Sequence, residues 1–256
     1  MITIISPAKI FRELPEGTGK CYTSLAFHEQ SMMLIEILKA YSQVDLASLM
    51  KMSDALAKLN LQRYQSFEDR AHKEAYEALL YFHGEAYKGI EAEHLSDEAK
   101  NFIHEHICIL SGLYGTIKPL ECIKPYRLEM GTKLMNPVGK DLYAFWKEHL
   151  TQAVFKVLAS TGGEQVLINL ASDEYSKALN LKEISQTYPV IQVSFKEKKG
   201  DTYKVVGMYA KRARGRMVRY IGEGAIDTVE GIKRFDEEGY ALNDDLSSET
   251  HLVFTR

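Results

Sequence analysis

The sequence predicts a single α+β domain, and three observations predict it. Short β-branched strands are spread from the first residues to the last. Helical periodicity comes in blocks rather than in strict alternation with those strands. No repeat, low-complexity linker or shift in composition divides the 256 residues. With 45% hydrophobic residues, the chain has ample material for one core.

The elements follow in order. "ITIIS" (residues 2–6) is apolar, β-branched and bounded by Pro7, the pattern of a buried strand. Residues 10–24 carry Pro15, Gly17 and Gly19 and read as a loop. Between residues 27 and 41, Met32, Leu34, Ile35 and Leu38 recur at helical spacing, and a helix or helix pair follows over about 45–70, with Ser53 as a cap. "KEAYEALLYF" (73–82) continues helical until Gly84 and Gly89 break it. Ser96, followed by two acids, starts a helix whose inner face is Phe102, Ile103 and Ile107. Residues 140–160 form the clearest amphipathic helix, ended by "TGG". "QVLINLAS" (165–172) reads as a central strand. "YPVIQVSF" (188–195) and "TYKVVGMYA" (202–210) read as strands flanking a charged hairpin turn at Gly200. Residues 210–222 are helical and basic, and the chain closes on a strand pair joined by an acidic loop.

Composition removes several function classes. Lys and Arg total 32 against 35 acids, a formal charge of -3, so a uniformly basic nucleic-acid binder is excluded while a locally clustered one is not. Three cysteines (Cys21, Cys108, Cys122) without CxxC spacing fit a reducing compartment and argue against a disulfide framework or zinc finger. The N-terminal "MITIISPAK" lacks the basic region of a signal peptide, and no stretch approaches the roughly 20 apolar residues of a membrane span. A soluble cytoplasmic protein without membrane contact is expected. His104, His106 and Cys108 would share one side of a strand, but on the expected helix they point apart, so neither a metal nor another cofactor is expected.

Three constellations carry possible chemistry. Lys211, Arg212, Arg214, Arg216 and Arg219 fall in nine residues without an acid, and Arg212, Arg216 and Arg219 share a helix face at i, i+4, i+7. Like charges so placed repel. They call for a compensating anion, either a carboxylate cluster inside the fold, such as "NDDLSSE", or phosphates outside it. "ILSGLYGTIKPLECI" resembles a helix-hairpin-helix module, in which Gly112 and Gly115 would let the main chain approach a phosphate beside Lys118 and Lys124. A plain structural turn is the competing reading. Finally, "NLASDEYSK" places Asp173, Glu174 and Lys177 at a strand's carboxyl end, as "ISPAK" does for Lys9. If both strands share a sheet, these residues meet "PYRLEMG" and its Arg127–Glu129 pair in one cleft, as a small-molecule pocket or as an ion-pair network.

"ISPAK", "LSGLYG", "KPLECIKPYRLEMG", "GKDLYAFW", "INLASDEY" and "YAKRARGRM" together closely resemble the YaaA family of bacterial cytoplasmic proteins linked to peroxide stress. The resemblance runs over essentially the whole chain. It implies an unusual single-domain fold around a positively charged cleft, a helix-hairpin-helix element, binding to duplex and branched DNA, and a role in limiting iron and peroxide damage. The spacing of Gly112 and Gly115 departs from the usual hairpin, and no catalytic set carries over.

Two functions from different classes follow. The first is a sequence-independent DNA binder of the oxidative stress response, with Lys118, Lys124, Arg127, Lys211, Arg212, Arg214 and Arg216 on phosphates and Gly112 and Gly115 at the backbone approach. The second is an enzyme for a nucleotide or another small phosphorylated molecule. In it Lys9, Arg127 and Lys177 hold anionic groups, and Asp173 or Glu174 is the general base.

Overall fold

Ile2–Ile5, strand β1, is buried on both faces because it lies in the middle of the main sheet, which explains its unbroken apolar run. The computed structural model describes residues 1–15, 25–67 and 75–256. The short strand β2 (Ile10–Phe11) is followed by helices α1 (His28–Lys39), α2 (Gln43–Met50) and α3 (Asp54–Gln65). Then come β3 (Tyr76–Glu77), α4 (Ala78–Tyr81), β4 (Phe82–His83), α5 (Glu85–Ile90) and α6 (Asp97–His106). β5 (Ile107–Ser111), β6 (Gly115–Ile117) and β7 (Cys122–Ile123) lead to the long helix α7 (Leu142–Ser160). β8 (Leu167–Asn169), α8 (Asp173–Ser176) and α9 (Leu181–Ile184) precede the hairpin of β9 (Val190–Lys199) and β10 (Thr202–Lys204). Helix α10 (Gly207–Glu223), α11 (Val229–Lys233), β11 (Ala241–Leu242) and β12 (His251–Thr255) complete the chain.

The main sheet runs β11-β12-β9-β8-β1-β5-β6, with β10 pairing to β9. Its five central strands are parallel, whereas β6 and β11 close the two edges in antiparallel pairing. One hydrophobic cluster reaches from Met1 to Phe254 and takes in the inner faces of α1, α6, α7 and α10, so the chain is a single mixed α and β domain. The sequence places most elements correctly. Residues 97–106 are helical, with Ser96 Oγ accepting from Ala99 N at 3.2 Å. Asp141 caps α7 in the same way. Gly200 turns the β9–β10 hairpin at a φ of 60°.

Several segments depart from the sequence reading; Ile10–Phe11, inside the expected loop, is a strand paired with β4. Residues 75–83 are not one helix but strand, single helical turn and strand. Tertiary pairing outweighs their helical propensity: Tyr76 pairs with Ile123, and Ala78 N and Leu79 N donate to the carbonyls of Glu121 and Pro119. The strand expected over 202–210 ends at Lys204, and Gly207 already opens α10. The later part of the loop expected over 10–24, and the end of the helix expected to residue 70, lie outside the described residues.

Cys108 is a buried free thiol whose pKa burial pushes up, whereas Cys122 is disulfide-bonded; Cys21 lies outside the described residues. No described helix is long and apolar enough to cross a membrane. Two histidines link the fold to pH. His104 Nδ1 accepts from Leu120 N at 3.1 Å, and burial holds its pKa below the ordinary 6.5, as it does for His251 beside Ser194. The unfolded imidazoles take up protons first as the pH falls. Their contribution to stability is therefore intact above about pH 6.5 and is lost below it. Urea unfolding of His104→Gln is expected to show a destabilisation at about pH 7.5 that shrinks at about pH 5.5. An equal difference at both pH values would exclude the imidazole as the titrating group.

Candidate functional site

The connections leave β1 toward β5 and β8 toward β9, in opposite directions along the sheet, which opens a crevice at the carboxyl ends of these adjacent parallel strands. Ser6, just past β1, and Ser172, just past β8, meet there. Ser6 Oγ donates to Ser172 Oγ at 3.2 Å and accepts from Ser172 N at 2.9 Å. Tyr87 of α5 donates to the Ser6 carbonyl at 3.2 Å. Over this junction lies a cavity of about 290 Å³. Ile5, Pro7, Ala8 and Leu170 give it apolar walls, and Tyr87 and Tyr175 add rings whose hydroxyl pKa values burial raises. Its charged lining is Lys9, Glu85, Glu174, Lys211 and Arg214, with His83 beside them.

The "ISPAK" and "LASDEY" segments line this cavity, and "PYRLEMG" joins them from outside the lining through Lys9 and Glu174. Lys9 forms an ion pair with Glu129, whose other oxygen accepts from Arg127 Nε at 3.1 Å and from the terminal guanidinium nitrogen at 2.8 Å. Glu174 Oε1 accepts from Gly131 N at 3.0 Å, and Tyr143 donates to the Glu174 carbonyl at 3.0 Å. Tyr64 of α3 donates to the Arg127 carbonyl, which ties α3 to the same loop. Of the residues considered for a pocket, Lys9 and Glu174 line it. Arg127 reaches it only through Glu129, and Asp173 and Lys177 are exposed outside the lining.

The basic helix divides its charges between two directions. Arg212 Nε pairs with Glu238 at 2.7 Å; Arg216 pairs with Glu237 at 2.6 Å and Glu91 at 3.0 Å; Arg219 pairs with Glu91 at 3.1 Å and Glu223 at 2.7 Å. The compensating anions are thus carboxylates of the fold, from segments other than "NDDLSSE". Arg212 and Arg216 are therefore each ion-paired within the fold. Lys211 and Arg214 turn to the cavity instead. The Arg214 guanidinium is largely buried, its Nε has no hydrogen-bond partner, and desolvation lowers its pKa against a smaller opposing effect of Asp173.

The glycine turn that resembles a helix-hairpin-helix is a β-hairpin. Residues 107–111 run as β5 and pair antiparallel with β6 in register Ser111↔Gly115. Ser111 Oγ accepts from Leu113 N and Tyr114 N, closing the turn. Gly112 and Gly115 are both buried. A Cβ on Gly112 would enter the Leu128 carbonyl, and one on Gly115, at φ 72°, would lie 2.7 Å from Trp146. These glycines admit the protein's own backbone and indole, and no outside phosphate reaches them. Tyr114 and Tyr126 pack edge to face in the core at 5.2 Å. Lys118 donates to the Glu105 carbonyl at 3.0 Å, and Lys124 lies over the Phe67 ring at 5.1 Å.

Among the described residues no group of three metal-binding side chains comes together; His104 and His106 are each occupied by a backbone group. The sequence reading missed His83, Glu85 and Tyr87, whose "FHGEAY" signals only a break at Gly84. The helix pair expected over 45–70 with Ser53 as a cap is α2 and α3, and what the reading missed is the tight turn between them. There Lys51 is left-handed (φ 49°) and exposed, and Ser53 caps α3. The signal was "KMS" between two short helical stripes.

Comparison with known proteins finds relatives over essentially the whole chain. A family profile described as "Peroxide stress protein YaaA" matches residues 1–246. A UPF0246 protein of Acaryochloris marina is 46% identical over 257 residues, covering all of both chains. One from Legionella pneumophila (strain Lens) is 42% identical over 258 residues, covering this chain fully and 99% of its own length. At that identity and coverage, the crevice between β1 and β8 is a feature of a chain that belongs to the YaaA peroxide stress family, UPF0246.

Proposed function

We propose that the protein serves peroxide defence as a cytoplasmic DNA-binding protein, holding duplex or branched DNA by its backbone with little sequence preference and so limiting iron- and peroxide-driven damage. The observation that carries this reading is the α2–turn–α3 hairpin. It offers the exposed Lys51, without an acid partner among the described residues, next to the first free backbone amides of α3. Its second helix is joined through Tyr64 to the loop that carries Arg127. Lys118 and Lys124 add positive charge from the β6–β7 side. Family membership supplies the stress context.

With the α10 arginines paired internally, fewer phosphates are neutralised than the sequence suggests. About four contacts give a log–log slope of affinity against salt near -3.6. Electrophoretic mobility titrations at several salt concentrations test this. Lys51→Ala reduces the slope by about 1 across unrelated sequences, whereas Arg212→Gln leaves it unchanged. A slope near zero, or a larger effect of Arg212→Gln than of Lys51→Ala, overturns the reading.

A further inference from the structure

The geometry points to a second binding site, independent of DNA, in the crevice between β1 and β8: a pocket for a small organic phosphate, whose dianionic group sits against Arg214 and Lys211. The charge accounting leads there. Of the charged groups at the cavity, Glu85 is paired with Lys88 at 2.9 Å, and Glu129 is shared by Lys9 and Arg127, which leaves one positive charge to offset the Glu174 carboxylate held by the Gly131 amide. Arg214 and Lys211 remain, and neither has an ion pair or hydrogen bond among the described residues. A guanidinium this far removed from water is costly unless something anionic meets it. The fold could have supplied a carboxylate, as it does for Arg212, Arg216 and Arg219 on the opposite side of the same helix. At Arg214 it supplies only the distant influence of exposed Asp173. Two uncompensated cations match the charge of a phosphate monoester, about -1.5 to -2, and the planar guanidinium fork suits its oxygens.

The remaining lining sets the size and character of the ester. A volume of about 290 Å³ falls at the small end of ligand pockets. Ile5, Pro7 and Leu170, with the rings of Tyr87 and Tyr175, give an apolar enclosure to a compact organic body. The Ser6–Ser172 pair offers hydroxyl groups at the floor. The position, at the carboxyl ends of parallel strands where the connections diverge, is the usual place for a small ligand in such a sheet.

Isothermal titration calorimetry on the full chain tests the proposal with adenosine 5′-monophosphate, inorganic phosphate and adenosine as probes. The monophosphate is expected to bind saturably and more tightly than phosphate alone, with no binding of adenosine. Arg214→Gln should weaken it at least about tenfold, and Lys211→Ser, a surface change that spares the fold, should weaken it severalfold. Lys177→Gln, outside the cavity, should leave it unchanged. Absence of binding by both phosphate probes, or equal affinity in wild type, Arg214→Gln and Lys211→Ser, overturns the site. A 5′-phosphorylated oligonucleotide that binds in an Arg214-dependent way while the monophosphate does not also overturns it, by assigning the pocket to a DNA end.

Discussion

Trp146→Ala is expected to destabilise the protein by about 3–5 kcal/mol through lost packing. Losing the partner of a buried carbonyl adds about 1–3 kcal/mol. The indole is fully buried in α7, packs edge-on against Phe27 and Phe145 at centroid distances of 5.5 and 4.9 Å, and donates from Nε1 to the Gly112 carbonyl at 2.9 Å. That hydrogen bond ties the long helix to the turn between β5 and β6. Removing the ring empties a large volume where backbone on one side and helix on the other prevent collapse. Chemical denaturation followed by circular dichroism gives the value, because Trp146 is the only tryptophan and its fluorescence disappears with it. Trp146→Phe separates the two contributions by keeping most of the packing and losing the donor. If alanine costs no more than phenylalanine, the packing role assigned to the ring is wrong.

The second large effect is expected at Gly215, where α10 lies against α5. A Cβ added there would enter the Ala86 carbonyl oxygen and lie 2.7 Å from its carbon. Both obstructing atoms belong to backbone, so neither can rotate away, and relief requires the two helices to separate. Gly215→Ala should therefore destabilise by about 3 kcal/mol, the upper end for overpacking, and loosen the wall that carries Glu85, Tyr87 and Arg214. Gly207→Ala, in the same helix but with nothing within 4 Å of the added carbon, should be neutral or slightly stabilising. Thermal melts of the two variants side by side provide the check. Equal melting temperatures would mean that the α5–α10 contact yields more readily than its geometry indicates.

Local patterns made the strands and the long helices legible. The doubly buried runs "ITII" and "VLIN" read as central strands, and they lie side by side in the sheet. The meeting of "ISPAK", "PYRLEMG" and "LASDEY" followed from that one topological condition, and it is visible as the Lys9–Glu129 and Glu174–Gly131 contacts. Charge pairing could not be read the same way. The acids that meet α10, Glu91, Glu237 and Glu238, come from short turns with no periodic signal, and only the folded backbone brings them near. The hairpin at Gly112 misled for a related reason. Glycine marks close approach of a backbone, and the sequence does not say whether the approaching group is a phosphate or the protein's own carbonyl and indole.

The central position of β1 bears on how the chain is made. Its four residues leave the ribosome well before their hydrogen-bonding neighbours, Ile107–Ser111 on one side and Leu167–Asn169 on the other. At roughly 5–20 residues per second, that leaves the nascent apolar segment unpaired for on the order of ten seconds. The sheet therefore assembles around a strand made long before either neighbour, and chaperone dependence should fall on the segment that carries β1.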